Sequence, residues 1–149
     1  MSRVPDLIDA LATRLSTDED LSGVRVTDGP EVSGSAGLEW VLVGYDGDPD
    51  GEFLAATTEE DWAALGTSRS ERIELPVTIL VRRGDNDVTA ARARTYEIAA
   101  IVRRVLAADP SLGLGGMQAA VAGATLFQTQ TNEGIQDRLV LTVGAQAFT

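Results

Sequence analysis

Residues 71–83 carry the plainest pattern in the chain. Ile73, Leu75, Val77, Ile79 and Val81 alternate with Glu74, Pro76, Thr78, Leu80 and Arg82. A period of two over five repeats predicts a half-buried strand, with Ile79 facing the core and Thr78 the opposite face. Pro76 lacks an amide hydrogen, which predicts an edge position or a bulge there. Elsewhere the period is helical. Leu7, Ile8, Leu11, Ala12 and Leu15 share one face, with Asp6, Asp9, Thr13 and Arg14 opposite, and Pro5 sits where a first turn accepts it. The spacing predicts a helix over 5–16. A second helix is expected from about Thr89 to Ala107, burying Ala91, Thr95, Ile98, Ile101/Val102 and Val105 and ending before Pro110. Arg92, Arg103 and Arg104 lie away from that stripe.

Shorter elements fill the rest. Ser16 to Gly23 reads as an acidic loop. Val24-Arg25-Val26 reads as a strand closed by Asp28-Gly29-Pro30, and Leu38 to Tyr45 as another. Ser33 to Gly37 reads as a turn. Residues 53–67 fit two patterns: a helical turn capped by Thr58 and ended by Gly66, or an extended arm, which is favoured. The chain closes with two long apolar-and-small segments, near 117–130 and 135–147, around Thr131-Asn132-Glu133-Gly134. The order α-β-β-β-α-β-β, with room for one more short element, predicts one α+β domain. Its sheet is expected to be mainly antiparallel, with two amphipathic helices on one face. The other face must then be solvated or meet another subunit, and Leu80 and Val140 are expected to need that cover.

Composition narrows the chemistry. The 149 residues suit a single domain, able to bury roughly 70% of its unfolded surface without metal or disulfide staples. The net charge is −11, and all twelve cationic residues are arginine. That charge disfavours nucleic-acid backbone and anionic membrane surfaces as ligands. There is no histidine and no cysteine, which removes thiolate nucleophiles, disulfides and cysteine–zinc sites. The first residues do not form a signal peptide and no apolar stretch reaches eighteen residues, so a soluble cytoplasmic product is expected.

Four constellations invite a chemical reading. Asp46, Asp48, Asp50 and Gly51 match the first half of a calcium loop, in which alternate carboxylates converge on one cation. Thr57 stands where the bidentate acid belongs and Pro49 interrupts the loop, so an acidic solvated turn is the better reading. Gly113-Leu114-Gly115-Gly116 lacks both phosphate-loop signatures and reads as a turn into the last hairpin. Nothing pairs Glu59-Glu60 or Glu71/Glu74 across a cleft for acid–base work. No serine has a histidine or lysine partner pattern. The expectation is no enzyme, no catalytic residue, no cofactor and no metal. Trp40 reads as core, and Trp62 stands evenly between core and interface.

Several phrases occur together in order: Val24-Arg25-Val26-Thr27-Asp28-Gly29-Pro30, then Leu42-Val43-Gly44-Tyr45-Asp46-Gly47. Next come Trp62…Leu65-Gly66…Arg69…Glu71 leading into the alternating strand, and Asp109-Pro110-Ser111-Leu112-Gly113 before a hairpin holding Gln128…Gly134. In this order, over nearly the whole chain, the sequence resembles the tail terminator (tail-completion) proteins of long-tailed phages, of the type common in actinobacteriophages. The resemblance implies a small α/β protein in a homohexameric ring at the head-proximal end of the tail. There it would cap the tail tube, stop its growth and offer a surface to the head–tail connector. Its partners would be itself, the tail tube protein and the connector, with DNA passing through the lumen unread and no membrane contact. The virion would be its place, after synthesis in the host cytoplasm. Six copies at −11 each carry −66, which repels phosphate rather than retaining it. Trp62, Arg69, Glu71 and Arg82 are the candidate interface residues. The rival readings are a neighbouring connector or tube subunit, and a small enzyme using carboxylates with a metal.

Overall fold

The computed structural model describes residues 2–31, 38–62 and 69–148. The expected Ser33–Gly37 turn and the Leu65-Gly66 segment lie outside the described residues. Helix α1 (Val4–Ser16) begins with Pro5 in its first turn and buries Leu7, Leu11 and Leu15. A 3-10 turn (Glu19–Leu21) follows inside the expected acidic loop, capped by the Asp18 carboxylate. Strands β1 (Arg25–Asp28), β2 (Glu39–Val43), β3 (Thr57–Trp62) and β4 (Arg69–Arg82) come next. Helix α2 (Val88–Ala108) is capped by Asp87, whose carboxylate accepts from the Ala90 amide at 3.0 Å. It stops at Asp109, pushed into an extended conformation ahead of Pro110. Strands β5 (Met117–Thr131) and β6 (Gly134–Phe148) form the final hairpin.

The six strands make one mixed sheet in the order β1-β2-β4-β6-β5, with β3 also paired to β4. Within the segment 53–67, Thr57–Trp62 form the extended strand β3. Every pairing is antiparallel except β1 with β2, which run parallel. The expectation of an edge or a bulge at Pro76 fails: β4 is central, between β6 on one side and β2 and β3 on the other. The residue is tolerated because β2 pairs with Val77–Val81 and β3 with Arg69–Glu74, so Pro76 falls at the junction. Its carbonyl accepts there from the Gly44 amide at 2.8 Å, and its missing donor points into the same gap.

Both helices cover one face of the sheet. The core joins Leu7, Leu11 and Leu15 of α1 and Ile98 and Val102 of α2 to alternate strand residues, Ile73 through Val81 on β4 and Leu139 through Val143 on β6. Strand β5 keeps this phase only as far as Val121. A bulge between Val121 and Gly123 shifts the register, so Ala124 and Leu126, not their odd-numbered neighbours, then align with Leu141 and Leu139.

The opposite face differs from expectation. Leu80 needs no subunit to cover it: with Trp40, Leu42 and Tyr45 it forms a second buried cluster. The connector after β2 lies across this region. Tyr45 stacks 5.0 Å from Phe53, and Arg138 Nη1 donates to the Asp46 carbonyl at 2.8 Å. Gly47 allows the close approach, since a Cβ there would meet Arg138 Cδ at 2.8 Å. Thr78 is fully buried and donates to the Tyr45 carbonyl at 2.6 Å. The β5–β6 part of this face stays open, where Val140 is half-buried, as does the part where β3 meets β4, at Arg72 and Glu74.

These positions make a paired test. Ile79→Asp abolishes soluble folding, because an unpaired buried charge costs several kcal/mol of a total near 5–15. Thr78→Asp, which a solvated opposite face would tolerate, also destabilises strongly. Thr78→Val, losing only the hydrogen bond, costs about 1–3 kcal/mol. Urea denaturation of the three variants checks the ranking; a Thr78→Asp chain as stable as the parent contradicts the buried second face.

Candidate functional site

The candidate interface residues do not form one patch. Trp62 and Arg69 are register partners where β3 meets β4, with the Arg69 guanidinium 4.4 Å from the Trp62 ring centre. Arg69 also reaches Glu60 at 3.5 Å. Trp62 is 62% exposed. Arg82 sits at the far end of the same strand, about 40 Å away at the rise of an extended chain. Its Nε donates to Gln136 Oε1 at 3.1 Å, and Glu31 lies at 3.6 Å.

Glu71 is corrected from surface contact to buried cap. It is 2% exposed, in phase with Ile73 beneath the helices. At the start of helix α1 the N-cap residue Arg3 makes no side-chain cap bond, and the Ser2 hydroxyl accepts from the Val4 amide at 3.2 Å. Glu71 adds a cap from the sheet, accepting from the Arg3 amide at 2.8 Å and from the Ser2 hydroxyl. A carboxylate at a helix N-terminus satisfies orphan amides and complements the helix dipole.

The calcium-like loop uses its carboxylates locally. Asp46 accepts from the Asp48 amide and Asp48 from the Asp50 amide, each at 3.0 Å. These are successive Asx turns, which fold the backbone without converging on a point. Among the described residues no three acidic side chains are grouped to hold a metal ion.

Two polar arrangements have no expectation behind them. Asp137 of β6 is fully buried; its carboxylate accepts from Gln128 Nε2 at 3.0 Å and lies 3.2 Å from Thr95 Oγ1. The sequence does carry a signal, since Asp137 interrupts the apolar phase set by Ile135, Leu139 and Leu141. Arg94 grips both oxygens of Glu39 at 2.7 and 3.0 Å, tying α2 to β2, and that hydrogen bonding holds its pKa above the ordinary arginine value. No sequence spacing joins residues so far apart.

The largest unpartnered feature is the edge of the sheet at β5. This strand has fifteen residues and no charged side chain. Its one neighbour among the described strands is β6. Near its start the Ala119 amide donates to the Pro110 carbonyl at 2.8 Å; beyond that, among the described residues, no backbone group bonds to the outer edge. An open groove of about 760 Å³ reaches from β5 across β6 to β4, lined in part by Glu74, Arg103, Leu106, Pro110, Ala120 and Gly144. Phe127 and Phe148 are exposed on this hairpin. The opposite edge is blunt by contrast: β1 is short, and the exposed β3 carries Glu59, Glu60 and Asp61.

No protein-family model matches the chain, and comparison with curated proteins finds no match. Among the described residues no helix is long and apolar enough to cross a membrane.

Two measurements probe these sites. Glu71→Ala removes the acceptor of the Arg3 amide and of the Ser2 hydroxyl proton and lowers stability by about 1–3 kcal/mol. Hydrogen exchange then rises first in the initial turn of α1; unchanged exchange there excludes the capping role. Millimolar calcium stabilises the chain by under about 0.4 kcal/mol, the linkage limit when ligand does not exceed its dissociation constant. A melting-temperature rise of many degrees, abolished by Asp48→Asn, contradicts that.

Proposed function

We propose that this chain is a structural assembly subunit, a phage tail terminator whose copies close into a ring on the end of the tail tube. The observation that carries the reading is the unpaired β5 edge. A long strand without charge, proline or full cover is a template for another chain, and monomers normally blunt such edges, as β1 and β3 do here. The order of sequence phrases that resembles tail terminators supplies the particular assembly. In mechanism this is binding alone: one ring face complements the last tube ring, and growth stops when the ring docks. The acidic subunit suits a lumen through which DNA must pass without being held.

The experiment is reconstitution with the tube subunit and gold-labelled terminator. Tubes capped at one end by a single ring of six labels, and unable to elongate from that end, are the expected result. A chain that polymerises alone into long tubes is a tube subunit instead. Labels at the end as a single copy or a two-fold pair overturn the ring.

A further inference from the structure

The charge left over after internal pairing is not evenly spread. Eight of the twelve arginines sit in ion pairs within the chain. Among the described residues Arg25, Arg92, Arg103 and Arg138 have no carboxylate partner, and three of these four flank β5. Arg92 of α2 reaches the Gln128 side chain of β5 at 3.5 Å. Arg103, also on α2, lines the groove beside Ala119–Val121. Arg138 stacks on Phe127 of β5 from the other face, 4.1 Å from the ring centre. The one uncharged edge in a chain of −11 is therefore bordered by three arginines outside any ion pair, with Asp137 bonded to the Gln128 that Arg92 reaches and Glu74 lining the same groove as Arg103. The far edge carries acids instead: Glu59, Glu60 and Asp61 project from β3, Glu59 and Glu60 in exposed ion pairs with Arg72 and Arg69 of β4 and Asp61 in none among the described residues.

Strand direction points the same way. Strand β4 is antiparallel to β3 and to β6, and β6 is antiparallel to β5, so β5 and β3 run in opposite directions at opposite edges. A second copy turned about an axis along the strands would bring its β3 beside β5 in antiparallel pairing, the better hydrogen-bonding geometry. Two β5 edges meeting about a two-fold axis would instead set the arginines of both copies against each other.

We propose that the free edge of β5 receives strand β3 of a second copy of this chain, head to tail and antiparallel. Arg92 and Arg103 lie on the helix side of the sheet, where Glu60 projects in phase with Glu71; Arg138 lies on the other side, with Glu59 and Asp61. The assignment rests on the ring reading above and names the two surfaces that would close the ring. A head-to-tail contact is heterologous and repeats around a ring, whereas a contact between like edges stops at two.

The test uses charge exchange at exposed positions, with circular dichroism to show that each variant is folded. In low salt the parent chain associates with increasing concentration in sedimentation velocity, and added salt weakens it. The double variant Arg92→Glu/Arg103→Glu and the single variant Glu60→Arg each raise the dissociation constant by about tenfold or more. Mixing them restores association, because each then meets an oppositely charged edge on the other. A parent that stays monomeric to its solubility limit overturns the proposal. So does either variant associating as the parent does, or a mixture no better than its parts. Imaging reconstituted tails separates the two readings: variants that still form terminal rings discard this edge pairing and leave the terminator reading intact, whereas a parent that never caps tubes discards the terminator reading.

Discussion

Strand β4 has a backbone partner on both sides for most of its length, and every other element is placed by where it can attach to that strand. Its thirteen-residue ladder with β6 fixes the final hairpin, and the hairpin fixes the edge. Its other side is shared between β2 and β3. Its inward residues, Ile73 to Val81, receive both helices, and even the start of α1 is held by a carboxylate on this strand. The backbone hydrogen bonds are individually modest in net value. Their force lies in register: a one-residue slip would carry the whole apolar set to the wrong face.

Charge is organised around this scaffold rather than within it. Exposed ion pairs such as Arg72 with Glu59, 3.3 Å apart, add little stability each. Arg94 with Glu39 is better shielded and doubly hydrogen-bonded, so it positions α2 over the sheet with more authority. Many of the acidic residues lie in the early loops and β3, and β5 itself carries none. Such segregation affects how copies meet more than whether the domain folds.

Much of the fold was legible because its elements obey one period each. The alternation of 71–83 and the helical stripes of α1 and α2 appear in the structure with boundaries moved by a residue or two. Parallel pairing of β1 with β2 was not legible, because no local pattern reports the direction of a neighbour. Thr78 misled for a related reason: alternation tells which face a residue takes, not whether a distant loop covers it. Trp40 was correctly read as core, though its cluster lies on the face opposite the helices. Glu71 looked like surface because it is an acid beside an arginine-rich segment, and its use as a cap depends on a helix nearly seventy residues away. Of the candidate site, the uncharged character of 117–131 was plain in the sequence, but that it lies at an edge follows only from the strand order.

The bulge at Val121–Gly123 has a consequence for how the final hairpin can vary. Before it, odd-numbered residues of β5 face the helices; after it, even-numbered ones do. Removing the extra residue, Ala122, would regularise the ladder and leave Ala124 opposite Leu141 and Leu126 opposite Leu139, so both would stay on the inward face. The change from odd to even numbers is the trace of one added residue, and the apolar phase on either side of it is the same. The hairpin can therefore gain or lose length at this one point without moving any other residue to the wrong face.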